Sequence, residues 1–356
     1  MKRVLVAGCV LTILLVFLIA SVLSAAPAPA GFGRSLDEIV ALAKKEGKVA
    51  IGSGLADNEA HTVLGDFMKK YPGIKVENTR LRTPEHKMKV LNELLGGTVE
   101  FDLLDISSEL MDQFKKGSVL AGPFDWRVIF SSAPKDHFSP DGYFAAGAYG
   151  LKPIAYNPNL VPRERIPRDW ADCTDPYWKG RFVVDTSAKY VATLYPGWGE
   201  EKLIAWARRV KENQPIWKRG MSEGITQLAA GEFQMICGVP YQSVHRVLKR
   251  DANARVAVSW PKEVSVTITE TMGVLKGGKH PNAALLLWGW LASGESQKGY
   301  DSLGRGSPYI EGTEAWQLIK KNGSKLIFAG WDQSKWEADM LGKVQAAWGF
   351  GKGSGN

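Results

Sequence analysis

Residues 167–187, PRDWADCTDPYWKGRFVVDTS, decide the fold. Asp169 opens a short helix, Pro176 stops it and Gly180 turns the chain. Phe182, Val183 and Val184 then form a run too short for a helix and rich in β-formers, which predicts a buried strand. Asp185, Thr186 and Ser187 place three side-chain oxygens at its carboxyl end, where another helix is expected to begin. A polar loop between a strand's end and a helix N-terminus is where open α/β sheets bind ligands.

The segments before this stretch repeat one pattern. Ser35 and Glu38 make a capping box for an amphipathic helix that runs to Gly47. A strand over 48–51 and the Gly52-Ser53-Gly54 loop follow, then a helix over 57–70 closed by Tyr71-Pro72-Gly73. A strand over 74–81 leads to a helix with Thr83 as cap and Pro84 at its first position. Phe101 starts a third strand, and Ser107-Ser108-Glu109 opens the helix after it. Strand, loop and helix in alternation predict a parallel sheet with right-handed crossovers.

Beyond it, residues 121–150 are rich in Pro, Gly and aromatics and read as loops leading to an extended crossing segment over 143–156. After the central stretch come helices over 201–212 and 223–230, strands over 232–239, 256–260 and 264–269, and an apolar helix over 283–292 that must be buried nearly all round. The last of these strands returns the chain to the first lobe. The expected division is a signal peptide over 1–30, a first lobe over 31–148 and 269–356, and a second lobe over 149–268. Residues 351–356 read as a disordered tail.

The chain has 356 residues, 45% hydrophobic and 23% charged, enough for two domains. Lys2 and Arg3 precede an uncharged apolar run over 4–23 and then small residues, the order of a secretory signal cleaved near Ala26 to Ala30. The run is also long enough for a retained anchor. Val6-Ala7-Gly8-Cys9 resembles a lipoprotein box but precedes the apolar run instead of following it. Removing the signal takes the net charge from +8 to +6, compatible with an anionic solute or surface. No basic run with interleaved aromatics suggests nucleic acid. Cys173 and Cys237 remain, and an oxidising compartment would permit a disulfide. Each sits where a buried aliphatic would serve, so two buried thiols are the favoured reading.

Trp170 to Gly180, W-A-D-x-x-D-P-x-W-K-G, and the IAYNPNLVP segment at 154–162 resemble the bacterial extracellular solute-binding proteins that feed ABC importers, in the ferric-iron-type group. KKYPGIKV at 69–76, QLAAGE at 227–232 and GKHPNAA at 278–284 extend the resemblance over nearly all of the mature chain. It implies an α/β, two-lobe type II periplasmic binding fold, each lobe a mainly parallel sheet flanked by helices, with a ligand cleft between the lobes. It also implies a periplasmic protein, a small-molecule ligand and an inner-membrane ABC permease as partner.

In that fold the candidate ligand-binding residues lie just past strand ends: Ser53 with Gly54, Ser107 with Ser108, Asp185 with Thr186 and Ser187, Ser222, and Tyr241. Free amides at helix N-termini suit carboxylate or phosphate oxygens. Arg219 is the charged partner expected of an anion, and Glu270 could accept from an amine or hydroxyl. Taken singly, a Ser or Thr before a helix is an ordinary cap, Arg219 a solvated charge and Tyr241 a packed strand end. The grouping of the loops is what points to a ligand.

Iron-binding members of the family hold ferric iron by adjacent tyrosines, usually with a histidine and a glutamate. Here Tyr241 stands alone between Pro240 and Gln242, the Gly52-Ser53-Gly54-Leu55 loop has no histidine, and Ser107 falls where the carboxylate is expected. These departures favour a small organic anion, a carboxylate or a phosphorylated compound, over ferric iron or a ferric chelate, which stay as the alternative. A secreted enzyme is the third reading. The chain has no H-E-x-x-H and no G-x-S-x-G, and its five histidines show no paired metal spacing. Residues 273–280 nearly match a P-loop, but His280 replaces the required Ser or Thr, and a turn before Pro281 explains them better. The expectation is an exported, monomeric, non-enzymatic binding protein with no cofactor or metal.

Overall fold

The computed structural model describes residues 31–350; the expected signal peptide and the tail after Phe350 lie outside them. Strands β1 (Lys48–Ser53), β2 (Lys75–Arg80), β3 (Leu103–Asp105), β4 (Phe144–Lys152), β5 (Ile154–Tyr156), β6 (Phe182–Asp185), β7 (Ile216–Lys218), β8 (Met235–Ile236), β9 (Ala257–Ser259), β10 (Glu263–Val274) and β11 (Lys325–Phe328) form two sheets. The first runs β11-β10-β3-β1-β2, with β4 also paired to β10. The second runs β7-β6-β8-β5-β9. Among the described residues no helix is long and apolar enough to cross a membrane.

The first sheet begins as the repeating pattern predicts. β1 pairs in parallel with both β2 and β3, and the helices Leu36–Glu46, Asp57–Lys70 and Pro84–Leu95 connect or flank them. The Ser35 hydroxyl accepts from the Glu38 amide at 3.2 Å, and Gly47 ends the helix in the left-handed conformation at φ 73°. In the Pro281–Leu291 helix every residue from Asn282 to Leu291 is buried. Its N-terminus is capped from outside: the Glu46 carboxylate accepts from the Asn282 and Ala283 amides at 3.1 and 2.7 Å. Gly289 lets that helix press on Phe130, whose ring a Cβ there would meet at 2.1 Å. The P-loop-like segment is a turn held by Asp102, which accepts from the His280 amide and ring at 2.9 and 2.8 Å.

The lobes are joined by long strands. β4, buried along all nine residues, runs antiparallel to β10 from Ser265↔Lys152 to Gly273↔Phe144. The register shifts on both sides of Glu270, a bulge that re-aims this side chain. The second sheet is more antiparallel than expected. β6 runs parallel to β7 and β8, but β5 opposes both β8 and β9, because β5 continues the crossing strand into the lobe.

The central stretch folds much as its residues dictate. Asp169 caps a one-turn helix at Trp170–Thr174, Gly180 turns at φ 70°, and β6 is buried throughout. Trp170, Trp178, Trp206 and Phe182 fill the core beneath it, together with Val344 and Trp348 of the Gln333–Trp348 helix. Three expectations are corrected. Cys173 and Cys237 are not free thiols: they form a disulfide, with Cα atoms 6.1 Å apart. No helix begins at Ser187, because Asp185 Oδ1 takes the Ser187 amide at 2.7 Å and closes a tight turn, with Ala188 at φ 60°. The strand expected over 232–239 shortens to Met235–Ile236, since only these pair with neighbours on both sides.

Candidate functional site

Several of the expected ligand-binding side chains have their polar atoms committed within the protein. Ser53 is fully buried; its hydroxyl donates to Asn78 Oδ1 at 2.6 Å and accepts from the Leu55 amide at 3.2 Å. Asp185, also buried, uses its second oxygen to accept from the Gly220 amide at 3.1 Å. Tyr241 packs on Trp260 and donates its phenol to Glu314 at 2.7 Å. Burial first, and Glu314 second, push that phenol far above its ordinary range, away from the anion a ferric ion needs. Glu270 is not open to a ligand: it accepts from Tyr300 at 2.7 Å and pairs with Arg305 at 3.0 Å. Burial pushes its carboxyl up to about 7 against the pull of Arg305.

The remaining expected residues are dispersed. Ser107 and Ser108 are half-buried beside the Ser108–Leu110 turn, where Ser108 donates to Glu109 at 3.4 Å. Thr186 and Ser187 are half-buried, and the Thr186 carbonyl accepts from Gln345 at 3.0 Å. The Gln333–Trp348 helix therefore lies along both of these loops, packed against the Ser108–Leu110 turn as well. Arg219 and Ser222 are exposed. Near the same helix Lys152 is buried between the crossing strands, within 3.2 Å of the Thr267 hydroxyl, and burial pushes its ammonium down to about 8.

Of the expected residues, Gly54 alone lines a cavity whose walls come from both lobes. Its volume is about 580 Å³, within the range of small-molecule sites. Gly54, Asn58, Glu59 and Arg80 come from the first lobe; His245, Arg246, Lys249 and Arg250 come from one helix of the second; Ser302, Leu303 and Arg305 close it from the returning chain. The Tyr241–Arg250 helix turns Tyr241 and Val244 inward. Spacings of three and four residues put Arg246, Lys249 and Arg250 together on its other face. Gly304, at φ 67°, lets the returning chain approach this helix so closely that a Cβ would meet His245 at 2.8 Å. Lys249 donates to the Ser302 carbonyl at 2.9 Å.

The lining is strongly positive. Arg305 is paired with Glu270 at 3.0 Å, but among the described residues Arg80, Arg246, Lys249 and Arg250 form no salt bridge to a carboxylate. Glu59, whose carboxylate accepts from the Ala56 amide at 3.0 Å, is the acidic residue in the lining. Sequence reasoning missed these cations. HRVLKR at 245–250, read as a helix with Val244, Val247 and Leu248 inward, would have grouped three of them. Among the described residues no cluster of three His, Cys, Asp or Glu could hold a metal ion.

Residues 100–335 match a family model described as bacterial extracellular solute-binding protein. The structure of Trichodesmium IdiA (FutA), in complex with iron and citrate, is similar at TM-score 0.70 and 18% identity, covering 85% of this chain and 100% of that one. Iron-bound HitA from Pseudomonas aeruginosa is similar at TM-score 0.60 and 18% identity, covering 85% and 97%. A GABA receptor structure is similar at TM-score 0.62 and 19% identity, also covering 85% and 97%. At these identities the likeness is one of fold, the two-lobe type II periplasmic binding arrangement. No curated protein matches the sequence.

Proposed function

From the premise that this chain belongs to the bacterial extracellular solute-binding proteins, we propose that it captures a small organic anion between its lobes and delivers it to an ABC permease. The observation that carries the reading is the cavity lined by Arg80, Arg246, Lys249 and Arg250. Guanidinium groups hold carboxylate or phosphate oxygens in paired, charge-assisted hydrogen bonds. Several such bonds, at about 1.5 to 3 kcal/mol each, are enough for the roughly 8 kcal/mol of micromolar affinity. Closure of the lobes would make a surface that a permease can distinguish from the open form. The protein acts as an exported monomer without catalysis, and the Cys173–Cys237 disulfide supports export to an oxidising compartment.

Bare ferric iron is disfavoured, because Tyr241 is spent on Glu314 and no second tyrosine adjoins it. An anionic ferric chelate is the second reading: the same basic lining suits it, and a relative of this fold holds iron and citrate. A thermal-shift screen of the mature protein tests both. A true ligand at a hundred times its dissociation constant stabilises by about 2.7 kcal/mol, several degrees in melting temperature. The expected result is a rise with iron-free organic acids or phosphorylated compounds. A rise with ferric citrate but not with citrate supports the chelate, and a rise with amines or neutral solutes alone overturns the anion reading.

A further inference from the structure

Resting on the anion reading above, we infer that the ligand is polyvalent, carrying separate negative groups for the two walls of the cavity. One wall presents Arg80 at the end of β2; the other presents Arg246 and Arg250, four residues apart on one helix. Four cations face one carboxylate, Glu59, in a space of about 580 Å³. Arg305 is left out of this count because it is turned to Glu270, 3.0 Å away.

Like charges one helical turn apart oppose each other on the helix surface, and bringing Arg80 toward them adds to the repulsion. A monovalent acid satisfies one wall and leaves the excess on the other. An anion with two or three negative groups bridges both and makes closure favourable, so it serves as ligand and as the counter-ion between the lobes. Lys249, held by the Ser302 carbonyl, is already fixed in place to contribute its charge.

Calorimetric titration of the mature protein with acetate, succinate, citrate and glycerol 3-phosphate tests this. Affinity is expected to rise about tenfold or more with each added negative group from acetate to citrate, the size of one charge-assisted bond. It should also fall as salt is raised from 0.01 to 0.15 M, because screening shortens from about 30 to about 8 Å. Arg80→Gln and Arg246→Gln should each weaken the preferred polyanion about tenfold or more while leaving the melting temperature of the free protein equal or slightly higher, since each removes a like charge from the lining. A preference between citrate and glycerol 3-phosphate tells carboxylate from phosphate. Acetate binding as tightly as citrate, or both variants binding citrate unchanged, overturns polyvalency and leaves the anion reading standing. Binding of neutral or cationic solutes with no anion bound overturns both.

Discussion

Replacing Cys173 and Cys237 together by alanine is expected to lower the melting temperature of the mature protein by roughly 10 °C. The disulfide closes a loop with a sequence separation of 64, which in the chain-entropy account is worth about 4 kcal/mol. For a domain of this size each kcal/mol moves the midpoint by about 2 to 4 °C. Both residues are buried, so alanine adds no unsatisfied polar group. The bond ties the Trp170–Thr174 turn to the segment after β8, across the tryptophan core of the second lobe. Differential scanning calorimetry with and without dithiothreitol checks it. The wild type should fall on reduction and the double variant should not respond; equal midpoints in both conditions would show that packing alone holds these segments.

The second large effect is expected at Lys87. Its ammonium, 7% exposed, pairs at 2.9 Å with Asp105, 4% exposed, at the end of β3. Asp105 also accepts from the Thr271 amide at 3.1 Å, so this carboxylate fastens β3 to the crossing strand beside the bulge. Lys87→Met keeps the volume and removes the charge, leaving a buried carboxylate without a cation. Breaking one partner of a buried pair costs about 3 to 5 kcal/mol. Adding Asp105→Asn to Lys87→Met should recover part of the loss, since the uncompensated charge is then gone. Urea unfolding of the single and double variants measures it, and a Lys87→Met midpoint equal to wild type would mean that water reaches Asp105.

Much of the fold was legible because its signals are local. Ser35, Asp57 and the Thr83-Pro84 pair announce helix starts through groups within one turn, and those helices begin where they do. The motif around Trp170 is read the same way, since Asp169 and Gly180 act on their immediate neighbours. What was not legible depends on partners distant in sequence. The sequence places Cys173 and Cys237 64 residues apart, and nothing in their neighbourhoods says that they meet. Asp185 offers oxygens at a strand end as a ligand site would, but Gly220 from another loop takes one of them. Tyr241 has the right residue type for metal, and Glu314 of a later helix claims its phenol.

The basic cavity failed to appear for a related reason. Arg80 ends a strand, Arg246 and Arg250 ride on the Tyr241–Arg250 helix, and Arg305 belongs to the returning chain. Each looks like a solvated surface charge, and Arg80, Arg246 and Arg250 are exposed in the structure too; what groups them is their place around one cavity. The candidate residues were sought in strand-end loops, and one of them, Gly54, lines a cavity beside the Tyr241–Arg250 helix together with Arg80 at the end of β2.

The route of the chain through the two sheets also bears on the order in which they form. All pairings of the second sheet lie within one unbroken stretch, the nearest being β6 with β7, where Val183 meets Ile216 across 33 residues. The first sheet pairs β1 with β2 across 27 residues, but to add β10 it must also bring Asp105 to Met272, 167 residues on. Loop closure makes the longer pairing entropically dearer by about 1.4 kcal/mol, tenfold in equilibrium. A chain emerging from its N-terminus therefore holds every strand of the second sheet while the first still lacks β10 and β11. The lobe that begins the sequence is the one that must wait for its end.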